Sequence, residues 1–215
     1  MPAGIPAGPQ TQSHMLKQLF IKAFLCAGVL TACSCGPNQR AMDCENVAQI
    51  VASVYAEQID TTQYHVYNIS WNDSQLNNTL AMIEYRMLGP DNKPMRLLKY
   101  FDYSPARKIE PIAGGDVSIR KVKFDRMEWI RPGEIKPATI VACYQAAKQM
   151  IPEGYEFISV ADHTIVRKGD GLSHVFTIAT DGKGVSTSRM GKSVRVTEYP
   201  AFRFRADDAG NVTIQ

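Results

Sequence analysis

Histidine is scarce in this chain, and the short motifs that mark common catalytic sites are missing from it. Of the four histidines among 215 residues, only His65, His163 and His174 follow the N-terminal segment 1–32. The sequence contains no HExxH, GxSxG, GxxxxGK[ST] or CxxC motif, patterns typical of zinc peptidases, α/β-hydrolases, P-loop nucleotide-binding proteins and thiol redox proteins. The sequence therefore predicts no metal site and no cofactor, and it assigns no catalytic residue.

A hydrophobic run long enough to cross a membrane is also missing. A spanning helix needs about 20 apolar residues, whereas the apolar stretch here covers only 23–30 and follows the basic side chains Lys17 and Lys22. A short basic leader, a short apolar run and small residues before Cys33 form the pattern of a bacterial secretion signal. We therefore predict that residues 1–32 are a leader and signal peptide outside the folded domain.

The end of this signal resembles a known class of sequence. Leu30, Thr31, Ala32 and Cys33 resemble the lipobox of bacterial lipoproteins, in which leucine and small residues precede the acylated cysteine. The resemblance implies a diacylglyceryl group on Cys33, cleavage before it and N-acylation, typically with palmitate, which together give a stable membrane anchor. Because Ser34 follows rather than aspartate, it also implies an outer-membrane lipoprotein facing the periplasm. An ordinary signal peptide with incidental cysteines is the alternative.

Little net charge would remain on the mature chain. The 24 Lys and Arg residues against 21 Asp and Glu give +3, and removal of residues 1–32 takes away two lysines and no acidic residue, which leaves +1. A nearly neutral domain offers no bulk electrostatic attraction for nucleic acid. We therefore expect no nucleic-acid partner.

Cysteine pairing is left open by the sequence. Removal of Cys26 and acylation of Cys33 would leave Cys35, Cys44 and Cys143 in an oxidising compartment. A Cys44–Cys143 disulfide would close a loop of about 100 residues and stabilise the fold by up to about 4.7 kcal/mol in the chain-entropy model. Two buried free thiols are the alternative, because an unpaired cysteine behaves as a small hydrophobic residue. Cys35 would stay unpaired or compete for pairing.

Hydrophobic periodicity predicts a tether and two helices. Residues 33–42 show no periodicity and predict a tether. Apolar residues three and four positions apart predict one helix after Asp43 and a second helix between Pro137 and Pro152. Both predicted helices present an apolar stripe that requires a partner surface.

β-Rich segments separated by turn sequences follow each predicted helix, and residues 116–130 are β-rich as well. We therefore predict an α+β fold in which two helices pack on an antiparallel sheet. The repeated order suggests a loose tandem duplication of a helix and a β-meander, with halves at 43–133 and 134–215. The two halves form separate domains or pack as one.

Two basic segments are candidates for a binding surface. In the sequence AFRFRA, alternation places the phenylalanines on one strand face and Arg203 and Arg205 on the other. The segment RKVKFDR supplies Arg120, Lys123 and Arg126. Solvated strand faces explain these charges, and the alternative is a cationic surface for an anionic partner such as lipopolysaccharide, an acidic protein or a glycan.

The segment YHVYNISW predicts one aromatic strand face. Strand alternation would place His65, Tyr67, Ile69 and Trp71 on the same side. Such a stripe is typical of a protein core. An exposed binding face anchored by Trp71 is the alternative, since tryptophan is enriched at interfaces.

These features favour a lipid-anchored, periplasm-facing protein that works by binding, either an envelope accessory factor or an inhibitor or immunity protein. One alternative is a periplasmic hydrolase with a site built from Asp162, Asp170 and Asp181 and a histidine. Asp162 and His163 are neighbours, so in a strand they would point to opposite faces. A structural envelope lipoprotein is the other alternative. The expected partners are the membrane, through Cys33, and an envelope protein or other anionic molecule.

Overall fold

The computed structural model describes residues 40–101, 108–119, 121–190 and 194–215. The predicted signal peptide with Cys33, most of the tether and Arg120 lie outside the described residues. The elements in chain order are α1 (Glu45–Gln58), β1 (His65–Asn72), β2 (Met82–Leu88), β3 (Pro94–Tyr100), β4 (Glu110–Pro111), α2 (Pro137–Gln149), β5 (Tyr155–Lys168), β6 (Gly171–Gly182), β7 (Ser186–Met190), β8 (Val194–Glu198), β9 (Ala201–Asp207) and β10 (Val212–Ile214).

Eight strands form one sheet in the order β10-β9-β6-β5-β1-β2-β3-β4, and β7 and β8 form a separate hairpin. All neighbouring strands of the large sheet are antiparallel. The first strand after each helix, β1 and β5, pair at its centre, and the later strands of each half extend outward from this pair. The predicted α+β fold is confirmed, and each half supplies one helix followed by four strands of the sheet.

Both helices contribute their apolar stripes to one core. In α1 this stripe includes Val47, Val51 and Tyr55, and in α2 it includes Ile140 and Tyr144, all of them buried. The helices pack against each other and share a single hydrophobic cluster with side chains of the sheet. α2 begins at Pro137, which is favourable because the first turn of a helix needs no backbone N–H donor.

Buried tyrosines join α1 to its surroundings. The hydroxyl of Tyr85 on β2 donates a 2.6 Å hydrogen bond to the carbonyl of Val51. The hydroxyl of Tyr55 donates to the carbonyl of Ile130. Because a buried hydroxyl without a partner is costly, these two bonds fix α1 relative to the sheet and to the chain before α2.

A β-bulge divides the aromatic stripe that the sequence predicts on β1. The register shifts between Val66 and Asn68, so Tyr67 is an extra residue opposite β2. Ile69 and Trp71 lie in the helix-facing core, whereas Tyr67 belongs to a second cluster on the opposite side of the sheet. The prediction of one shared face was therefore wrong, because one inserted residue reverses the side-chain alternation.

The prediction of a strand at 116–130 was also wrong. The described residues there form two short 3₁₀ turns, Val117–Ile119 and Phe124–Arg126. The carboxylate of Asp116 accepts hydrogen bonds from the backbone N–H and the hydroxyl of Ser118, which favours a turn over an extended chain. We call residues 112–131 the connecting segment. Its side chains Ile119, Val122, Phe124 and Met127 pack with Tyr67 on the sheet face opposite the helices, whereas Ile130 joins the helix-facing core.

Candidate binding site

The sheet presents a broad polar surface on the side that the helices do not cover. Side chains at alternate positions of β1, β5, β6, β9 and β10 lie next to each other across the strands. We call this surface the open face. Its members are half-buried or exposed, and they are Ser70, Asn72, Asp162, Thr164, Val175, Thr177, Arg203, Arg205 and Thr213.

Two arginines of β9 give the open face its positive charge. Arg203 and Arg205 are exposed, and they lie about 7 Å apart along the strand. Their cross-strand neighbours on β6 are Thr177 and Val175, so no carboxylate stands directly opposite them on that strand. Among the described residues, neither guanidinium has a hydrogen-bond or ion-pair partner.

The connecting segment is fixed over the neighbouring part of the same sheet side by Asp116. The hydroxyl of Tyr67 donates a 2.7 Å hydrogen bond to Oδ2 of Asp116, and Nη1 of Arg86 lies 3.6 Å from the same oxygen. Burial alone would raise the pKa of Asp116, but hydrogen bonds from Ser118 and Tyr67 and the charge of Arg86 outweigh it and lower that pKa. Asp116 is therefore an ionised anchor.

A stack of rings fixes the middle of the connecting segment. The His65 ring lies between Phe124, with ring centres 3.8 Å apart, and Trp129, with ring centres 4.9 Å apart, and all three are nearly parallel. Nδ1 of His65 is 3.0 Å from the carbonyl oxygen of Phe124. The guanidinium of Arg131 lies over the Trp129 ring. β1 thus holds the segment through aromatic contacts.

Arg167 of β5 joins the far end of the connecting segment to the sheet. Its Nη2 donates to the carbonyl of Trp129 at 3.0 Å and to the carboxylate of Glu134. Burial would raise the pKa of Glu134, but the hydrogen bonds from Arg167 and from the backbone of Arg131 lower it. The segment is therefore held at both ends and in its middle.

Between the connecting segment and the sheet lies a cleft of about 520 Å³. Its floor includes Arg86, Asn68 and Val166, which are successive cross-strand neighbours on β2, β1 and β5. Its other wall includes Arg126 and Glu128 of the connecting segment, both exposed. We call this space the segment cleft. The Nε atoms of Arg86 and Arg167, which both line it, are buried and have no hydrogen-bond partner among the described residues.

The residues of the predicted hydrolase site are not brought together. Asp162 is on the open face, whereas His163 and His174 are buried on the helix-facing side. Asp170 and Asp181 lie near opposite ends of β6, about 35 Å apart at the rise of an extended strand. This placement gives no support to a catalytic site made from these groups.

The two histidines form a buried network instead. Nε2 of His163 is 3.0 Å from Nδ1 of His174, and Nδ1 of His163 is 2.7 Å from the hydroxyl of Tyr144. The His163 ring also stacks between Trp71 and Phe176. Burial, followed by the charge of His174, places the pKa of His163 well below its usual range. Burial also lowers the pKa of His174.

The structure does not contain the disulfide between Cys44 and Cys143 that one of the two alternatives predicted. Cys143 is a free, buried thiol whose pKa is raised to about 11, chiefly by burial. Cys44 is disulfide-bonded, but not to Cys143. The prediction of a Cys44–Cys143 bond is therefore wrong. The alternative, two buried free thiols, holds for Cys143 but not for Cys44.

The predicted surface residues divide between the open face, the segment cleft and the core. Arg203 and Arg205 are on the open face, Arg126 lines the segment cleft, and Lys123 is exposed on the connecting segment. Trp71 is 1% exposed, so it lies in the core as the favoured interpretation of its strand expects, and the alternative of a binding face anchored by Trp71 is wrong.

Sequence reasoning missed Arg86, Asn68 and Asp116. They are distant in sequence and meet only through strand pairing and the path of the connecting segment. The one local signal was Asp116 followed by Ser118, a typical turn start.

Comparisons with known proteins identify no family for this chain. The chain matches no protein-family model. No curated protein matches it. One solved structure, described as "a putative lipoprotein" from Clostridium difficile 630, is 12% identical and similar over 79% of this chain and 90% of that chain, with a TM-score of 0.40. At this similarity the likeness supports no argument about the present chain. In the described part of the chain, no helix has the length and apolar character needed to cross a membrane.

Proposed function

We propose that the protein is a lipid-anchored protein of the bacterial cell envelope that binds an acidic surface of another envelope protein on its open face. The observation that carries the binding proposal is a sheet with helices on one side and, on the other, a polar surface with Arg203 and Arg205, two arginines that have no partner in the described part of the chain. The lipobox at Cys33 supports the anchor, and the outer membrane facing the periplasm is the proposed location.

The size of the open face favours a macromolecule. Five neighbouring strands at about 4.8 Å spacing give the open face a width of about 19 Å. A face of this width can supply much of the area of about 800 Å² that each partner buries in a standard protein interface. Hydroxyl and amide side chains cover most of it, as at polar protein interfaces. Asp162 lies on the same face as the arginines, so mixed charge favours a protein surface over the phosphates of lipopolysaccharide.

The anchor also accounts for the disulfide at Cys44. In the mature chain Cys26 would be removed, Cys33 would carry lipid, and Cys143 is free. Cys35 is then the partner that remains for Cys44. This bond would join the tether, two residues after Cys33, to Cys44, which directly precedes α1. The lipid would therefore be attached close to the start of α1.

Metabolic labelling tests the anchor. The wild-type chain in a Gram-negative host should incorporate an alkyne analogue of palmitate and fractionate with the outer membrane. Cys33→Ser should lose both properties, whereas Cys26→Ser, a matched change inside the signal, should keep both. Labelling that survives Cys33→Ser would contradict the anchor, and inner-membrane fractionation would contradict the location.

Site-specific photocrosslinking tests the open face. A photoreactive amino acid at Thr177, between the arginines and the sheet centre, should give a defined protein adduct in the envelope. The same group at Ser53, on the exposed side of α1, is the control and should give none. Charge reversal by Arg203→Glu with Arg205→Glu should abolish the adduct. Adducts that are equal at both positions, or that survive charge reversal, would contradict this face as the interface and leave a structural envelope role.

A further inference from the structure

The geometry of the segment cleft points to a second binding site: we infer that it binds a small amphipathic anion, a molecule with a carboxylate or phosphate group attached to an apolar body. This inference goes beyond the proposed partner interface and does not depend on the lipid anchor. The volume of about 520 Å³ lies within the range of small-molecule sites in proteins.

The walls of the cleft are preformed. The connecting segment is held to β1 through the hydrogen bond from Tyr67 to Asp116 and through the ring stack on His65. It is held to β5 through the bond from Arg167 to the carbonyl of Trp129, and Arg167 also binds Glu134, just beyond the segment. Preformed walls lower the ordering cost of binding, so a small molecule can bind without rearrangement of the fold.

Hydrogen-bond donors without partners are concentrated at this cleft. Nε of Arg86 and Nε of Arg167 are two of three buried side-chain polar atoms that lack a partner in the described chain. Asn68, on the floor between them, has no side-chain partner among the described residues. The two Nε atoms have almost no solvent-accessible surface, so a ligand does not reach them in this conformation. The side-chain amide of Asn68 lines the cleft and can donate to an acceptor oxygen of a ligand.

The mouth of the cleft offers one exposed guanidinium, that of Arg126, to an anionic group. The nearby carboxylate of Asp116 is already engaged by Tyr67, Ser118 and Arg86. Arg126 has no ion-pair partner within the described chain, and as a guanidinium it suits a carboxylate or phosphate. Glu128, at the same mouth, also has no ion-pair partner within the described chain, and its negative charge repels an anion. Removal of this charge should therefore strengthen binding, the opposite of the effect expected for removal of Arg126.

The remaining lining is apolar. Ile119, Val122 and Met127 of the connecting segment line the cleft together with Val166 of β5. These side chains provide no hydrogen bonds, so they suit a hydrocarbon body attached to the anionic group. Neither an inorganic anion nor a neutral alcohol would use both parts of this lining.

Calorimetric titration tests the inference with four probes: octanoate, octyl phosphate, inorganic phosphate and 1-octanol. The full chain with Cys33→Ser is used, since it takes no lipid. At least one of octanoate and octyl phosphate should bind at one site, and the stronger of the two identifies the anionic group. Inorganic phosphate and octanol should bind at least tenfold more weakly. Equal binding of octanol, or no binding of either amphipathic anion, would overturn the inference.

Variants at the exposed mouth locate the site without affecting the core. Arg126→Ala should weaken binding of the amphipathic anion about tenfold, the loss of a single charge-assisted contact. Lys123→Ala removes an exposed positive charge from the same segment but does not line the cleft, so it should change affinity less than twofold. Glu128→Gln should strengthen binding severalfold. Equal losses for the arginine and lysine variants, or weaker binding with Glu128→Gln, would overturn the assignment. Loss of photocrosslinking at the open face would leave this inference untouched.

Discussion

Acidification from pH 7 to pH 5 should destabilise this protein through its buried histidines. Burial keeps His163 neutral in the folded protein, with a pKa well below the usual range, and it lowers the pKa of His174. In the unfolded chain both take up protons below a pKa of about 6.5. Because the unfolded state then binds more protons, stability is greatest above pH 6.5 and falls as the pH decreases.

The size of the effect follows from proton linkage. A histidine that stays neutral in the folded state loses about 2 kcal/mol of stabilisation between pH 7 and pH 5. His163 should contribute this full amount, since it is completely buried. His174 contributes less, because burial lowers its pKa but the charges of Asp208 and Asp207 raise it. The expected total is about 2 to 4 kcal/mol.

This pH range separates the histidines from the carboxyl groups. Hydrogen bonds to Asp116 and Glu134 outweigh the effect of burial and lower their pKa values. Stabilisation from these groups is therefore present above their unfolded pKa and is lost only as the pH falls well below 5.

Urea unfolding of the full chain with Cys33→Ser at pH 7, 6 and 5 provides the measurement. His174→Gln should reduce the pH dependence, because one titrating group is removed. Tyr144→Phe is the control: it removes the hydroxyl 2.7 Å from His163 and should lower stability at every pH while leaving the pH dependence intact. A change of less than about 0.5 kcal/mol between pH 7 and pH 5 would refute the reasoning, since it lies far below the linkage value for even one buried histidine.

Three further predictions concern the tether, the connecting segment and the core. Non-reducing peptide mapping of the exported protein should show a Cys35–Cys44 link, and a link from the lipobox cysteine to Cys44 would contradict the anchor. Asp116→Ala should lower the free energy of unfolding by about 1 to 3 kcal/mol, because it leaves buried donors unpaired; hydrogen exchange should rise in the connecting segment, and unchanged exchange there would count against its anchoring role. Phe204→Ala should cost about 3 to 5 kcal/mol in urea unfolding, clearly more than Phe202→Ala, because Phe204 is fully buried and Phe202 is not; equal costs would contradict this packing.

Local periodicity was sufficient to predict the two helices and strand β9, whereas the edge strand β4 lies in a stretch, 104–116, whose sequence indicates a connection. The stripe of α1 and the alternation of AFRFRA both place side chains as observed, with Phe204 buried and Arg203 and Arg205 exposed. Each of these patterns depends only on the geometry of a single regular element. The fold class followed from the order of such elements.

The histidine network and the cysteines could not be predicted in this way. His163 is a strand residue beside an aspartate, and its burial depends on α2 packing over β5 with Tyr144 in reach. Cys143 lies on an apolar stripe whether it is paired or free, so only the distance to another thiol decides its state. Both outcomes depend on tertiary contacts, and the periodicity of a single segment carries no information about them.

The segment cleft depends on one irregularity that leaves no clear pattern in the sequence. The extra residue in β1, Tyr67, allows Val66 and Ile69 to face the helices while Tyr67 and Asn68 stay on the opposite side. The Tyr67 hydroxyl then reaches Asp116, which fixes the connecting segment and so forms a wall of the cleft. In a regular strand, alternation would place Tyr67 on the side of Ile69, within the core. The segment would lose this anchor, so the bulge is a structural requirement for the cleft.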